Sequence, residues 1–135
     1  MTDAAAYQVV VDAIVGLDVS DDQNGEHDVF SHFEGREEDF PARDRVFVLE
    51  RTRGPGAHPA RGACERQAEF SVIVYYSRTD GMNARALTDG KRIDDVLMGL
   101  PGGLAQVEAP FPAEPHPQEH YIFDVRTYRV SWSVY

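Results

Sequence analysis

The sequence has a single cysteine, Cys64, in 135 residues. No disulfide can close within the chain, and a reducing compartment is expected. Long apolar runs are also missing. Those present extend over a few residues, as at 9–11, far short of the roughly 18 needed to span a bilayer. Met1, Thr2 and Asp3 supply no positive flank of the kind that opens a secretory signal, so an intracellular protein with no membrane partner is expected. Basic charge is scarce as well, with 13 Lys and Arg against 23 Asp and Glu and a net charge of −10. Tight nucleic-acid binding needs a concentrated basic face to displace counterions from phosphates, and this balance argues against it. A negative surface aids solubility, or repels DNA from a wall that it must slide past.

The chain has the length of one ordinary domain and enough apolar residues, 42%, to bury a core without staples. Residues 4–17 place Ala6, Val9, Val10, Ala13, Ile14 and Leu17 at three- and four-residue steps, the spacing of one helix face, with Thr2 or Asp3 as cap. Gly16 and the polar run 20–25 end that helix. Val29, Phe30 and Phe33 suggest a short extended piece near His32, and 36–44 reads as a connection. Residues 45–51, RVFVLER, suit a strand, and 65–77 suit a stronger one with apolar residues on both faces. Between them, 52–64 carries Gly54, Pro55, Gly56, Pro59 and Gly62; it is too long for a tight hairpin and is expected to be a projecting, mobile arm.

Asp80-Gly81 marks a turn, and Asn83 is a candidate cap for a helix to Leu100 whose seam is Ala86, Gly90, Ile93, Leu97 and Leu100. Arg85, Lys91, Arg92, Asp94 and Asp95 are expected to face water. Gly90 costs the helix about 1 kcal/mol relative to alanine, which suggests close packing against another backbone. Pro101-Gly102-Gly103 stops the helix, and a proline-rich loop, 101–120, should be extended and exposed. In 121–135 the apolar residues change parity, Tyr121, Phe123 and Val125 against Tyr128, Val130, Trp132 and Val134. One buried face would then need a bulge or bend near Arg126-Thr127. The expected fold is α+β: one domain, 1–135, with a mainly antiparallel sheet, two packed helices, a long projecting β-hairpin arm and a C-terminal strand.

Chemistry is hard to place. His116 and His120 are four apart, but Pro115 and Pro117 oppose the helix that would align them on a metal. His27, His32 and His58 are scattered, and Cys64, with Arg61 and Arg66 near in sequence, reads as an incidental lone thiol at the end of the arm. Gly54-Pro55-Gly56 has no lysine or following helix to bind phosphate. The carboxylate pairs Glu37-Glu38, Asp21-Asp22 and Asp94-Asp95 lie in polar contexts. No catalytic, cofactor or metal site is expected. What stands out is Arg51, Arg53, Arg61 and Arg66, which frame the arm with His58 inside it, in an otherwise acidic chain. Such an asymmetry could dock on an acidic neighbour. Trp132 and Tyr135, in a strand that ends the sequence, could pair with a partner's sheet.

In pattern, nearly the whole chain resembles the tail terminator proteins of tailed phages: the helix 4–17, the strand 45–51, the arm and the strand ending FSVIVYYS at 70–77, the helix 83–100 and the last strand YRVSWSVY at 128–135. The resemblance implies a non-enzymatic subunit of the virion tail or neck, without cofactors and made in the cytoplasm of a bacterial host. Such subunits close into a ring, commonly of six copies, on the tail tube protein and offer a surface to the head-tail connector or neck, while DNA passes through the lumen. The proline-rich loop and the length of the arm depart from the family pattern. Another head-tail connector, head completion or tail tube subunit stays open as an alternative, as does a small acidic inhibitor that mimics DNA.

Overall fold

The computed structural model describes residues 1–19, 29–100, 105–107 and 113–134. Helix α1, Asp3–Val15, starts where Thr2 Oγ1 accepts the Ala5 N–H at 3.1 Å. It ends at Gly16, whose N–H donates to the Asp12 carbonyl at 2.9 Å, while the Leu17 N–H donates to that of Ile14 at 3.1 Å. A capping hydroxyl of this kind satisfies one of the backbone donors left over in a first turn. The helix buries Ala6, Val10, Val11 and Ile14.

Strand β1, Ser31–His32, runs parallel to β2, Val46–His58; the pairs β2 with β3, Gly62–Ser77, and β3 with β6, Tyr121–Ser133, are antiparallel. Helix α2, Met82–Met98, lies between β3 and the short strands β4, Ala105–Val107, and β5, Glu114–Pro117. Both short strands pair with the far side of β6, β4 at Val130–Trp132 and β5 at Ile122–Val125. The sheet order is β1-β2-β3-β6-β4, with β5 beside β4 on β6. The fold is α+β.

Alternation along β3 and β6 decides which face carries the helices. Ala68, Phe70, Val72, Val74 and Tyr76 of β3 and Tyr128, Val130 and Trp132 of β6 share one face and form one core with α1, α2, Phe30, Phe47 and Leu49. The opposite face holds a second aromatic group. Tyr75 stacks on Tyr121 at 5.2 Å between ring centres, and Phe123 meets Phe40 edge-on at 5.4 Å.

This second group removes the need for the bulge expected at Arg126-Thr127. The register runs unbroken from Ser77↔Tyr121 to Glu65↔Ser133. Tyr121 and Phe123 are apolar on the outer face, while Asp124 and Arg126 occupy the helix-side face as an ion pair at 3.2 Å. Two covered faces tolerate a change of apolar parity that one face could not.

The arm also differs from expectation. Pairing of β2 with β3 continues to His58↔Gly62, so the connection is a three-residue turn, Pro59 to Arg61, and the strands themselves carry most of 52–64. Register shifts between Arg51 and Arg53 and between Arg53 and Gly56 absorb the glycines and the proline. The strand can accept them because β1 covers only Val46 and Phe47 of it, and an edge strand has ladder positions to spare. On the other side β6 backs β3 as far as Glu65, so only the tip beyond extends past the sheet.

Three features of α2 correct the sequence reading. Its N-cap is Gly81 at φ 81°, with no side-chain cap, so Asn83 lies inside the helix. Gly90 makes room for the Arg126 guanidinium and not for another backbone. Arg85, Arg92 and Asp94, expected in water, are partly buried in ion pairs described below. Of the proline-rich segment, Pro115 and Pro117 lie in the exposed edge strand β5; Pro101, Gly102, Gly103, Pro110 and Pro112 lie outside the described residues.

Candidate protein interface at the arm

The arginines that frame the arm separate into two groups. Arg51 and Arg53 are exposed on the β2 edge, and Arg61 is exposed in the turn. Arg66 instead holds the fold together, with Nε and Nη2 donating to the two carboxylate oxygens of Asp3 at 3.2 and 2.9 Å. Trp132 Nε1 donates to the same carboxylate at 3.2 Å. These donors tie the start of α1 to the sheet, and the Arg66 hydrogen bond, more than any other contact, holds the Asp3 carboxyl below its usual range.

Trp132, expected at an interface, is 2% exposed and sits in the core between β3 and β4. Its even parity turns it toward the helices, and β4 occupies the edge that a partner strand would need. Tyr135 lies outside the described residues. The structure thus brings Arg51, Arg53, His58 and Arg61 together on the arm and assigns Arg66 and Trp132 to the fold.

His58 is the least expected of these. It is 8% exposed, although it lies one residue from the turn. Its Nδ1 accepts the Ala60 N–H at 3.1 Å, and its Nε2 has no hydrogen-bond partner. The ring helps to line a hollow of about 440 Å³ on the outer face, together with Arg53, Gly56, Gln67, Glu69 and Arg129. The Thr52 hydroxyl donates to Glu69 Oε1 at 3.0 Å, fixing one wall.

Sequence reasoning missed a buried polar network under α2. Arg45, 1% exposed, donates through Nε and Nη2 to the carboxylate of Asp89, 0% exposed, at 2.8 and 2.9 Å. The Tyr76 hydroxyl adds a third bond at 2.8 Å. Burial, then the Asp89 charge, pushes the Tyr76 phenol well above its ordinary value. Arg92 approaches from the rim at 3.5 Å. A signal was present: Met82, Ala86, Asp89, Ile93 and Leu97 follow helical steps, so the aspartate falls on the buried stripe.

Two further ion pairs flank it. Asp44 accepts from the Ser77 N–H and hydroxyl at 2.8 and 2.7 Å and also from Arg85. Asp94 accepts from Tyr128 and Arg126, which fastens α2 to β6. Desolvation raises the Asp124 carboxyl, and Arg126 only partly offsets it. These groups are paired with one another and read as fold-holding contacts.

Among the described residues no three His, Cys, Asp or Glu side chains are grouped to hold a metal ion. His116 and His120 are exposed on and beside β5, and Cys64 is exposed near the arm tip. No helix among the described residues is long and apolar enough to cross a membrane. No protein-family model matches this sequence, and no curated protein matches it.

Proposed function

We propose that this chain is a structural subunit of a phage or phage-like particle, a tail terminator that forms a ring on the tail tube and joins it to the neck. The observation that carries this reading is the arm: a β2–β3 hairpin that presents Arg51, Arg53 and Arg61 from a chain of net charge −10. Opposite charges on separate parts of one subunit favour head-to-tail contact between copies, and such contacts give rings when the rotation between copies closes. The α+β fold, with a mainly antiparallel sheet carrying two helices, supports the same reading. The acidic remainder suits a lumen through which DNA slides.

Sedimentation velocity and negative-stain electron microscopy of the purified protein test it. The expected result is a closed ring, alone or on added tail tubes. Reversing Arg51, Arg53 and Arg61 to glutamate should weaken assembly and leave the thermal unfolding of the subunit in place. Arg66 is left intact, because its loss would loosen α1. Unchanged assembly of the triple variant would remove the arm from the mechanism. A persistent monomer that inhibits a nucleic-acid enzyme would replace this reading with that of an acidic DNA mimic.

A further inference from the structure

The hollow beside the arm has the chemistry of a receptor for an oxyanion. Arg53 and Arg129 on its wall outnumber Glu69, and Thr52 already engages one Glu69 oxygen. His58 accepts the Ala60 amide at Nδ1, so the neutral ring carries its proton on Nε2. That nitrogen is shut away from solvent with no acceptor. A buried donor without an acceptor is unfavourable, and a ligand oxygen that reached it would relieve this. The hollow has room on the glycine side, where a Cβ at Gly56 would meet no atom within 4 Å, and a shift of the His58 ring would bring Nε2 to its wall. Planar guanidinium groups match carboxylates in shape as well as in charge.

We infer that the hollow is a carboxylate-binding site and that its occupant is an acidic side chain of a second copy of this chain. Charge complementarity selects this occupant. The chain has 23 acidic side chains against 13 basic ones, so a neighbouring copy offers more carboxylates than cations. The site sits on the same arm that carries Arg51 and Arg61, which would let one contact both seat and orient the neighbour. This inference rests on the assembly reading above and adds to it the place where the neighbour is held.

Three single variants and one probe test it. Gly56→Phe fills the hollow and keeps every charge, Arg53→Glu reverses a wall charge, and Arg51→Glu makes the same charge change outside the hollow. By sedimentation, the first two should raise the dissociation constant of the assembly at least about ten-fold, and Arg51→Glu no more than about three-fold, as expected for a seated charge against a rim charge. Circular dichroism checks folding, and Arg53, being exposed, gives a readout even if Gly56→Phe misfolds. Equal effects of Arg51→Glu and Arg53→Glu, or wild-type assembly of a folded Gly56→Phe, would overturn the site.

The probe is an acetylated, amidated tetraglutamate peptide, titrated while the imidazole signals of His58 are followed by NMR. Shifts in the wild type that vanish in Gly56→Phe support the carboxylate chemistry, and no shift refutes it. A wild type that never self-associates but still binds the peptide refutes the second copy as occupant and defeats the ring reading, while the carboxylate chemistry of the hollow stands.

Discussion

Replacing Asp89 by alanine should be among the most damaging single changes in this protein. The substitution leaves Arg45, 1% exposed, without the carboxylate that meets it at 2.8 and 2.9 Å. It also leaves the Tyr76 hydroxyl without its acceptor. Arg92 reaches solvent more easily and can turn outward. Breaking a buried ion pair from one side costs about 3–5 kcal/mol, because the surviving charge stays desolvated. With a urea dependence of about 1.5 kcal/mol per M for a domain of this size, the unfolding midpoint falls by about 2–3 M. Such a loss is a large part of the roughly 5–15 kcal/mol that holds a domain folded. Arg45→Met, Tyr76→Phe and Asp89→Leu together should recover most of it, since an apolar replacement leaves no buried group unpaired. Residue 45 keeps its φ of 64° in both proteins, so backbone conformation drops out of the comparison. Urea denaturation followed by fluorescence decides the matter. A single variant within about 1 kcal/mol of wild type would refute the reasoning, because it would mean that the pair is not desolvated, and so would a triple variant no better than the single.

Gly90→Ala should destabilise despite the gain of about 1 kcal/mol in helix propensity, because the new methyl group collides with an Arg126 guanidinium that Asp94 and Asp124 hold. In an Arg126→Ala background the same change should stabilise, and a thermal-melt double-mutant cycle reads the reversal of sign. Asp124 and Asp3 should respond to acid in opposite directions. Burial raises the Asp124 carboxyl, so its folded form takes up a proton before the unfolded chain does. Relative to Asp124→Asn, the wild type should then gain stability as pH falls from neutral through that raised value. Arg66 depresses Asp3, whose contribution is present above the unfolded carboxylate range and is lost as pH falls through the lower folded value. Urea midpoints at neutral and acidic pH, compared with the Asp3→Asn variant, check both signs.

Local pattern made much of the architecture legible. Three- and four-residue spacing located α1 and α2, and alternation located β3 and β6, because these periods follow from backbone geometry alone. The charge contrast of the arm was equally legible, since Arg51, Arg53 and Arg61 need only be counted against the acidic remainder. Caps and turns were harder. Gly81 took the cap from Asn83 because the Asp80-Gly81 turn leads straight into the helix, and the three-residue tip was hidden by glycines and a proline that an edge strand can absorb as register shifts.

By itself, then, the sequence determined an acidic α+β chain with two amphipathic helices, two strong strands and a basic arm. Tertiary structure alone decided the partners of its polar groups. Asp89 and Arg45 are 44 residues apart, Arg66 and Asp3 are 63 apart, and Trp132 and Asp3 are 129 apart. No local period connects such pairs, and each charge reads as solvated until the sheet and helices remove it from water. The His58 Nε2, buried without a hydrogen-bond partner, became visible for the same reason: burial and hydrogen-bond satisfaction belong to the packed molecule and not to any stretch of chain.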